Sequence, residues 1–331
     1  MRKNSIAFII LGMLIIGWMI TLNIIYQKGQ EKEAVIYVEI PEETKRFIEG
    51  LLNTIDLAIT FDPDLSIDDW NNENDFGNDE SSGLAKLEDE YFVFYYAKNE
   101  QKEKNKAHKA QKWAHEAIPE LADLMGKYHY PSDVRGRKLP IYLADSPKNY
   151  TKIIAMLRGV SSLPEQTDSW GIYISTYSGK GNRVSGIVIH PEPWKNDVYA
   201  KATLWHEMNH YEFFASLDYS KVVEPYLWVV EGLAEYFSET KLDLNSTIIH
   251  KLQKEAHLNR GFQPLYYNYV GGHSVFQTIH SLYGKNKVKD FVRKVYISRM
   301  NEVYPAVLQI SESKFESIWK NNLPKLVKNV Q

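Results

Sequence analysis

The chain has 331 residues, with 42 Asp or Glu against 39 Lys or Arg, and its formal net charge is −3. This length can bury a full core, while the near balance of charge gives no bulk attraction to nucleic acid, so no nucleic-acid partner is expected. The chain contains no cysteine, which excludes disulfides, thiolate zinc sites and thiol catalysis.

The amino terminus predicts a membrane anchor. Arg2 and Lys3 precede an apolar run over residues 6–26 that only two polar residues interrupt. About 20 apolar residues span a bilayer as a helix, and no small-residue cleavage site follows, so an uncleaved signal anchor is favoured over a cleaved signal peptide. The two cations favour a cytoplasmic position for residues 1–5. We therefore expect a single-pass protein of the cell membrane whose remaining chain is extracytoplasmic.

A connecting region is predicted at residues 27–90. It begins as a charged stalk, continues through a helical pattern at 41–59 and ends in a stretch over 61–82 that is dense in Asp, Asn and Glu. Such acidic stretches with glycine are typical of solvated loops or flexible linkers. From residue 91 the pattern is typical of a folded domain, so the expected domain covers residues 91–331.

Within this domain, strands are predicted first and helices afterwards. Residues that favour strands, or that alternate in polarity, predict strands at 91–96, 139–143, 170–176 and 184–190. Helical patterns between them lie at 101–128, with a kink or break at Pro119, and at 148–157. Later helices are predicted at 198–217, 226–240, 246–258, 270–283, 286–299 and 312–328. This order predicts an α+β fold with a mixed-sheet lobe followed by a helical lobe.

The strongest functional signal is an HExxH pattern at residues 206–210, inside a predicted helix. Residues four apart lie on one helix face, so His206 and His210 can bind a single zinc ion. Glu207 is turned to the side where a water molecule on that metal would lie. Short motifs of this kind also arise by chance on surface helices, but the apolar residues around this one indicate a buried helix, where His and Glu need partners.

A second helical pattern supplies the remaining ligand. Glu231 lies in an apolar run, where a charge again needs a partner. Catalytic zinc takes three protein ligands and keeps a fourth position for water, so Glu231 as third ligand leaves Glu207 free to act as the base. Glu235, one turn further, is predicted to accept a hydrogen bond from a ligand histidine and so to orient it.

These motifs carry a family resemblance. HEMNH together with WVVEGLAEYF at residues 228–237 resembles the gluzincin metallopeptidases, in particular the peptidase-MA-like branch related to thermolysin and the aminopeptidase-N group. The resemblance is strongest over residues 184–240. It implies a zincin-like two-lobed fold, one zinc per chain, and the same ligand and base assignments as the spacing.

The resemblance has two further implications. Residues 184–189 resemble the edge strand that lines the family's substrate cleft, although an ordinary interior strand is an equally good interpretation. Gluzincins also need a Tyr or His that donates to the oxyanion of the reaction. Tyr269 is the first candidate and His273 the alternative, with Tyr266 and Tyr267 still possible.

Other histidines give weaker signals. His115 begins a second HExxH-like pattern, but Pro119 stands where its second histidine would be. Three further histidine pairs are spaced seven residues apart, which places them about 10 Å apart on a helix, too far to share a metal ion. Packing or surface roles are therefore expected for them, with the exception of His273, which belongs to one of these pairs and is the alternative oxyanion donor.

The leading interpretation is a membrane-anchored, extracytoplasmic zinc metallopeptidase that acts on peptide or protein substrates. Two alternatives stay open: a gluzincin-like sensor or binding module with weak turnover, and a zinc hydrolase of a non-peptide bond. A binding module has no use for the base Glu207, which argues against the first. The G-x-M-E-N motif that aminopeptidase-N relatives use to hold a substrate amine is absent, which weakly favours an endopeptidase or oligopeptidase.

Overall fold

The computed structural model describes residues 61–62, 83–98, 100–131, 138–158, 163–164, 169–178, 183–218, 226–240, 242, 244–262 and 266–328. The predicted anchor at 6–26, the stalk, the helical pattern at 41–59 and most of the acidic stretch lie outside these residues. None of the helices in the described ranges combines the length and apolar character needed to cross a bilayer.

One mixed sheet of six strands forms the first layer, in the order β1-β5-β6-β4-β3-β2. The strands are β1 (Phe61–Asp62), β2 (Leu84–Glu88), β3 (Phe92–Ala97), β4 (Leu139–Leu143), β5 (Gly171–Ser178) and β6 (Arg183–Ile189). Strands β3, β4 and β6 run parallel to each other, whereas β2 is antiparallel to β3 and β5 is antiparallel to β6. The predicted α+β class is confirmed.

The sheet includes residues from the stretch expected to be a linker. Strand β2 pairs along its whole length with β3, from Leu84 opposite Ala97 to Glu88 opposite Val93. It is an edge strand, and its charged side chains Lys86 and Glu88 form an ion pair of 3.4 Å. Charged residues are usual on edge strands, where they discourage further pairing. Because of these charges, the sequence of β2 does not show the apolar alternation that predicts a strand.

Strand β6 lies inside the sheet, between β5 and β4, so its interpretation as the edge strand of the cleft is wrong. Ile187, Val188 and Ile189 are completely buried. Strands that are covered on both faces have continuous apolar runs of this kind. Its neighbour β5 pairs with β1 only at Tyr177 and Ser178, so in the described part of the chain β5 has an open side along its first residues.

Nine α-helices are described, most of them after the sheet. They are α1 (Gln101–Met125), α2 (Pro147–Leu157), α3 (Asp197–Ser216), α4 (Leu227–Phe237), α5 (Ser246–Glu255), α6 (Tyr266–Tyr283), α7 (Lys285–Val295), α8 (Met300–Leu308) and α9 (Glu312–Lys328). A short 3₁₀ helix at Glu192–Lys195 precedes α3.

Two helix predictions need correction. Helix α1 continues through Pro119 without a break, and its buried face is mostly alanine and leucine. Packing of that face outweighs the hydrogen bond that the proline removes. The helix predicted at 286–299 ends at Val295, and the separate helix α8 that follows was not predicted. Pro305 lies inside α8, and a proline in the middle of a segment argues against a helix when only the sequence is known.

The helices cover both faces of the sheet. The larger core includes Phe92, Phe94 and Ile187 from the sheet together with apolar residues of α1 and α3. On the opposite face, Tyr142 and Val188 pack with Ile154 of α2 in a smaller cluster. Helix α3 is therefore held between the sheet and the remaining helices.

Helices α4 and α6 cross in direct backbone contact. A Cβ atom at Gly232 would lie 2.2 Å from the carbonyl carbon of Gly272, and a Cβ atom at Gly272 would lie 2.1 Å from the carbonyl oxygen of Trp228. Both distances are far below van der Waals contact, so neither position has room for a side chain. Glu231 precedes Gly232 and His273 follows Gly272, so this crossing brings both side chains into the lining of one cleft.

Candidate active site

Helix α3 is fixed at its start and along its buried face. The side chain of Asn196 accepts a hydrogen bond from the backbone N–H of Val198 and so caps the first turn. Leu204 and Met208 are completely buried in the core. The indole N–H of Trp205 donates to the carbonyl oxygen of Trp113 at 2.9 Å and ties α3 to α1. These contacts set the rotation of the helix and hence the direction of its polar side chains.

His206, His210 and Glu231 converge on one point. The two Nε2 atoms lie 3.0 Å apart, and the Oε2 atom of Glu231 lies 3.3 Å from Nε2 of His206 and 3.4 Å from Nε2 of His210. In the described ranges, this is the one group of three or more such side chains close enough to hold a metal ion.

The distances fit a zinc ion. Nitrogen and oxygen ligands at about 2.0–2.2 Å from a tetrahedral zinc lie about 3.3 Å from each other, which is close to the three observed separations. The Oε2 atom of Glu231 is also buried and makes no hydrogen bond of normal geometry with the described residues. A buried carboxylate oxygen needs a partner, and a metal ion supplies one.

Charge at the cluster favours a cation. Burial alone would raise the pKa of Glu231, but the imidazoles of His210 and His206 outweigh it and lower the pKa to about 2. Burial alone would lower the pKa of His206, but Glu231 and Glu235 outweigh it and hold the pKa well above its usual value. The carboxylates thus stay ionised in a buried position and favour positive charge at the centre of the cluster.

Glu235 lies behind His206, as predicted from its position one turn after Glu231. Its Oε1 atom is 3.3 Å from Nδ1 of His206, the ring nitrogen opposite the one in the cluster. Burial would raise the pKa of Glu235, but His206 and the side chain of Thr240 outweigh it and lower the pKa. The hydroxyl of Ser238 lies 2.6 Å from that of Thr240. This chain of contacts holds the His206 ring in one orientation.

Glu207 faces the sheet and is 5% exposed. A Cβ atom at Gly171 would lie 2.8 Å from Oε1 of Glu207 and 2.8 Å from Cγ2 of Thr203. The start of β5 therefore approaches the carboxylate closely because residue 171 has no side chain. The sequence contains no signal for this contact, since residues 171 and 207 are brought together only by the fold.

The cluster opens into a cleft of about 720 Å³. The predicted ligands, the predicted base, Glu235 and the two leading oxyanion-donor candidates line it, namely His206, Glu207, His210, Glu231, Glu235, Tyr269 and His273. The cleft also contains residues that sequence reasoning missed, including Trp170, Gly171, Tyr173, Tyr199, Thr203, Phe214 and Thr240. Most of the missed residues belong to β5 or to the start and end of α3.

Tyr269 and His273 lie one turn apart on α6. The ring of Tyr269 is nearly parallel to that of His206, with 6.2 Å between the centroids and 16° between the planes. His273 is 3% exposed, and burial lowers its pKa to about 4, so the imidazole is neutral at pH 7. Tyr267 lies beside Lys251 and does not line the cleft, and the side chain of Tyr266 lies outside the described part of the structure.

Three of the remaining histidines, His115, His257 and His280, have local partners. His115 lies 2.9 Å from a carboxylate oxygen of Asp89, which explains the incomplete HExxH pattern as a surface contact between α1 and the sheet. His257 contacts Glu316 at 3.1 Å. The Nδ1 atom of His280 lies 3.0 Å from the hydroxyl of Tyr236. These contacts agree with the packing and surface roles expected from the spacing.

Comparison with known proteins adds the family. No curated protein matches the chain. The family model described as collagenase, peptidase M9, matches residues 95–277, which is more than half of the chain and extends from β3 into α6. The matched stretch includes the whole His-His-Glu cluster, Glu207 and both residues on α6. Peptidase M9 is a family of zinc metallopeptidases, so zinc is the cofactor and peptides or proteins are the substrates. The chain belongs to the peptidase M9, or collagenase, family and is a zinc-dependent hydrolase.

Proposed function

We propose that His206, His210 and Glu231 hold one zinc ion per chain and that Glu207 is the general base of peptide-bond hydrolysis. The observation that carries this proposal is the convergence of three ligand atoms at separations of 3.0–3.4 Å in the same cleft as Glu207. When bound, zinc polarises the scissile carbonyl and lowers the pKa of a water molecule.

The protein's own residues complete the reaction. Glu207 takes the proton of the attacking water and passes it to the leaving amine. Glu235 keeps the His206 ring oriented through its contact with Nδ1. Tyr269, which lies beside the His206 ring and is partly exposed, donates to the developing oxyanion, and His273 is the alternative donor.

The finer assignment within the zinc metallopeptidases is part of the proposal. The third ligand is a glutamate in the Glu231-Gly232-Leu233-Ala234-Glu235 block, and this block resembles the gluzincins related to thermolysin and the aminopeptidase-N group. The close approach of Glu231 to both histidines supports the resemblance, as does the position of Glu235 behind His206. A mixed sheet next to a helical part, with the cleft between β5 and α3, is consistent with a zincin-like fold.

The open side of β5 is suited to an extended peptide. His190 donates its backbone N–H to the carbonyl oxygen of Trp170 at 2.8 Å, on the side of β6. In an antiparallel ladder such bonds recur at every second residue, so the main-chain groups of Gly171 point away from β6, to the side that the described residues leave open. We propose that the substrate pairs antiparallel with β5 through these groups. A non-peptide substrate has no use for such an edge.

A membrane anchor is the second part of the proposal. The apolar run at residues 6–26 behind Arg2 and Lys3 supports a single-pass protein with a cytoplasmic amino terminus and an extracytoplasmic catalytic domain. Residues 27–90 would connect the two, apart from the strands β1 and β2, which belong to the sheet.

Topology can be tested on intact cells or spheroplasts. Because the bulk of the chain lies outside in this proposal, added protease should digest the catalytic domain while a cytoplasmic marker protein stays intact. Immunoblotting of the domain before and after lysis measures the result. Protection of the domain until the cells are lysed would contradict the proposed orientation.

Replacement of either ligand histidine should remove the metal. His206→Ala and His210→Ala each leave two ligands, so elemental analysis of the purified chain should show strong loss of zinc from the value of about one per chain. Glu235→Ala should weaken zinc affinity by only about 10–100-fold, because it removes an orienting contact. His280→Ala, on the outer end of α6, is the control and should retain zinc. Full zinc content in both ligand variants would place the site elsewhere.

Glu207→Gln should abolish cleavage while zinc content and fold are preserved. Glutamine has almost the same size as glutamate, but it cannot accept the proton of water. Digestion of a peptide library, with products identified by mass spectrometry, measures turnover and cleavage position for the zinc-loaded and chelated chain. Equal cleavage by the wild type and the Glu207→Gln variant would rule out Glu207 as the base.

Tyr269→Phe should lower kcat far more than it changes KM. Loss of one oxyanion donor costs about 2.7–4 kcal/mol, or roughly 100–1000-fold in rate. Tyr267→Phe is a matched control, because Tyr267 lies on the same helix but outside the cleft. An unchanged kcat in Tyr269→Phe, together with a large loss in His273→Gln, would assign the donor role to His273.

A further inference from the structure

Large apolar side chains are exposed at one end of the cleft. In the described ranges, five large apolar residues are strongly exposed, and three of them are Trp170, Val198 and Tyr199. Val198 and Tyr199 lie in the first turn of α3, and Trp170 immediately precedes β5. The rings of Trp170 and Tyr199 have centroids 5.5 Å apart, and both residues line the cleft. Exposed apolar residues scattered singly are ordinary, whereas a group at the mouth of a binding cleft indicates a contact surface.

The contacts between β5 and α3 define directions within the cleft. Trp170 contacts Tyr199, Gly171 lies against Thr203 and Glu207, and Tyr173 stacks on Phe214 with 6.1 Å between the ring centroids. Residue numbers rise together along both elements, so β5 and α3 run in the same direction. A peptide antiparallel to β5 therefore enters beside Phe214 and has its carboxyl-terminal part beside Tyr199.

The distance from the base sets the position along the peptide. Tyr199 precedes Glu207 by eight residues, which corresponds to about 12 Å along a helix. An extended peptide advances about 3.4 Å per residue, so this length corresponds to about three residues. Glu207 marks the position of the scissile bond, and the carboxyl-terminal part of the peptide lies on the side of Tyr199. The substrate residues beside Tyr199 therefore follow the scissile bond.

We propose that Trp170 and Tyr199 form a subsite for an apolar side chain at the second or third residue after the scissile bond. The proposal rests on the proposed function and adds a substrate preference to it. Two aromatic faces in contact with water gain most from an apolar partner. The nearest acidic side chain on the first turn of α3, Asp197, is already paired with Lys109 at 2.6 Å. Asp197 therefore offers no unpaired charge that would favour a charged residue of the substrate.

The test compares matched peptides with the zinc-loaded full chain. Peptides that the library shows to be cleaved are resynthesised with Leu or Gly at the second and third positions after the scissile bond. The wild type should prefer Leu by roughly 3- to 10-fold in kcat/KM, which is the range for a good aromatic contact. Trp170→Ala and Tyr199→Ala should lose this preference through a higher KM. Leu282→Ala is the matched control, because Leu282 is similarly exposed, at 46%, but does not line the cleft.

The outcomes distinguish failure of the proposed subsite from failure of the proposed peptidase activity. An unchanged Leu preference in both aromatic variants, or a change only at residues before the scissile bond, overturns the subsite while the peptidase assignment stands. If the wild type cleaves no peptide, the proposed function fails, and binding of a Leu-containing library peptide and of its Leu→Gly counterpart to the Glu207→Gln chain, measured by fluorescence anisotropy, decides whether Trp170 and Tyr199 form an apolar subsite. The subsite is supported if the Leu peptide binds more tightly than the Gly peptide and Trp170→Ala removes this difference. Equal binding of the two peptides overturns the subsite.

Discussion

The buried charge of Glu231 is the constraint on which the site depends. A carboxylate that is 2% exposed, inside an otherwise apolar helix, needs a positive partner to stay ionised. The structure meets this need with two imidazoles from a different helix, and the proposed zinc ion would complete the compensation. Because the three side chains must converge within a few ångströms, the relative position of α3 and α4 is fixed by the chemistry as much as by packing.

The surrounding fold supplies rigid supports for that geometry. Helix α3 is capped by Asn196, packed into the core by its apolar face and tied to α1 through Trp205. Just beyond the motif, the carboxylate of Glu212 is completely buried and accepts a hydrogen bond of 2.8 Å from the backbone N–H of His129. The two histidines proposed as ligands thus lie on a helix whose two ends are both held by polar contacts.

Much of the site could be predicted because its signals are local. The spacing of His206 and His210 is a property of one helix, and the charge of Glu231 in an apolar run indicates a buried partner without any knowledge of the fold. The wall formed by β5 could not be predicted in this way. Gly171 and Glu207 are 36 positions apart in the printed sequence, and neither residue type reveals the contact. The sequence also did not reveal that β5, and not β6, forms the strand along the cleft, since strand order in a sheet is a long-range property.

The glycine contact between α4 and α6 also bears on how the cleft can change shape. Backbones that already touch at Gly232 and Gly272 have no side chains between them to repack, so the two helices are expected to move as one body. The distance from Glu231 to the candidate oxyanion donors is then insensitive to substrate. The opposite wall, the open side of β5, is joined to α3 mainly through side chains such as Tyr173 and Phe214. Widening of the cleft for a bulky substrate is therefore expected to displace the sheet and to leave the catalytic geometry unchanged.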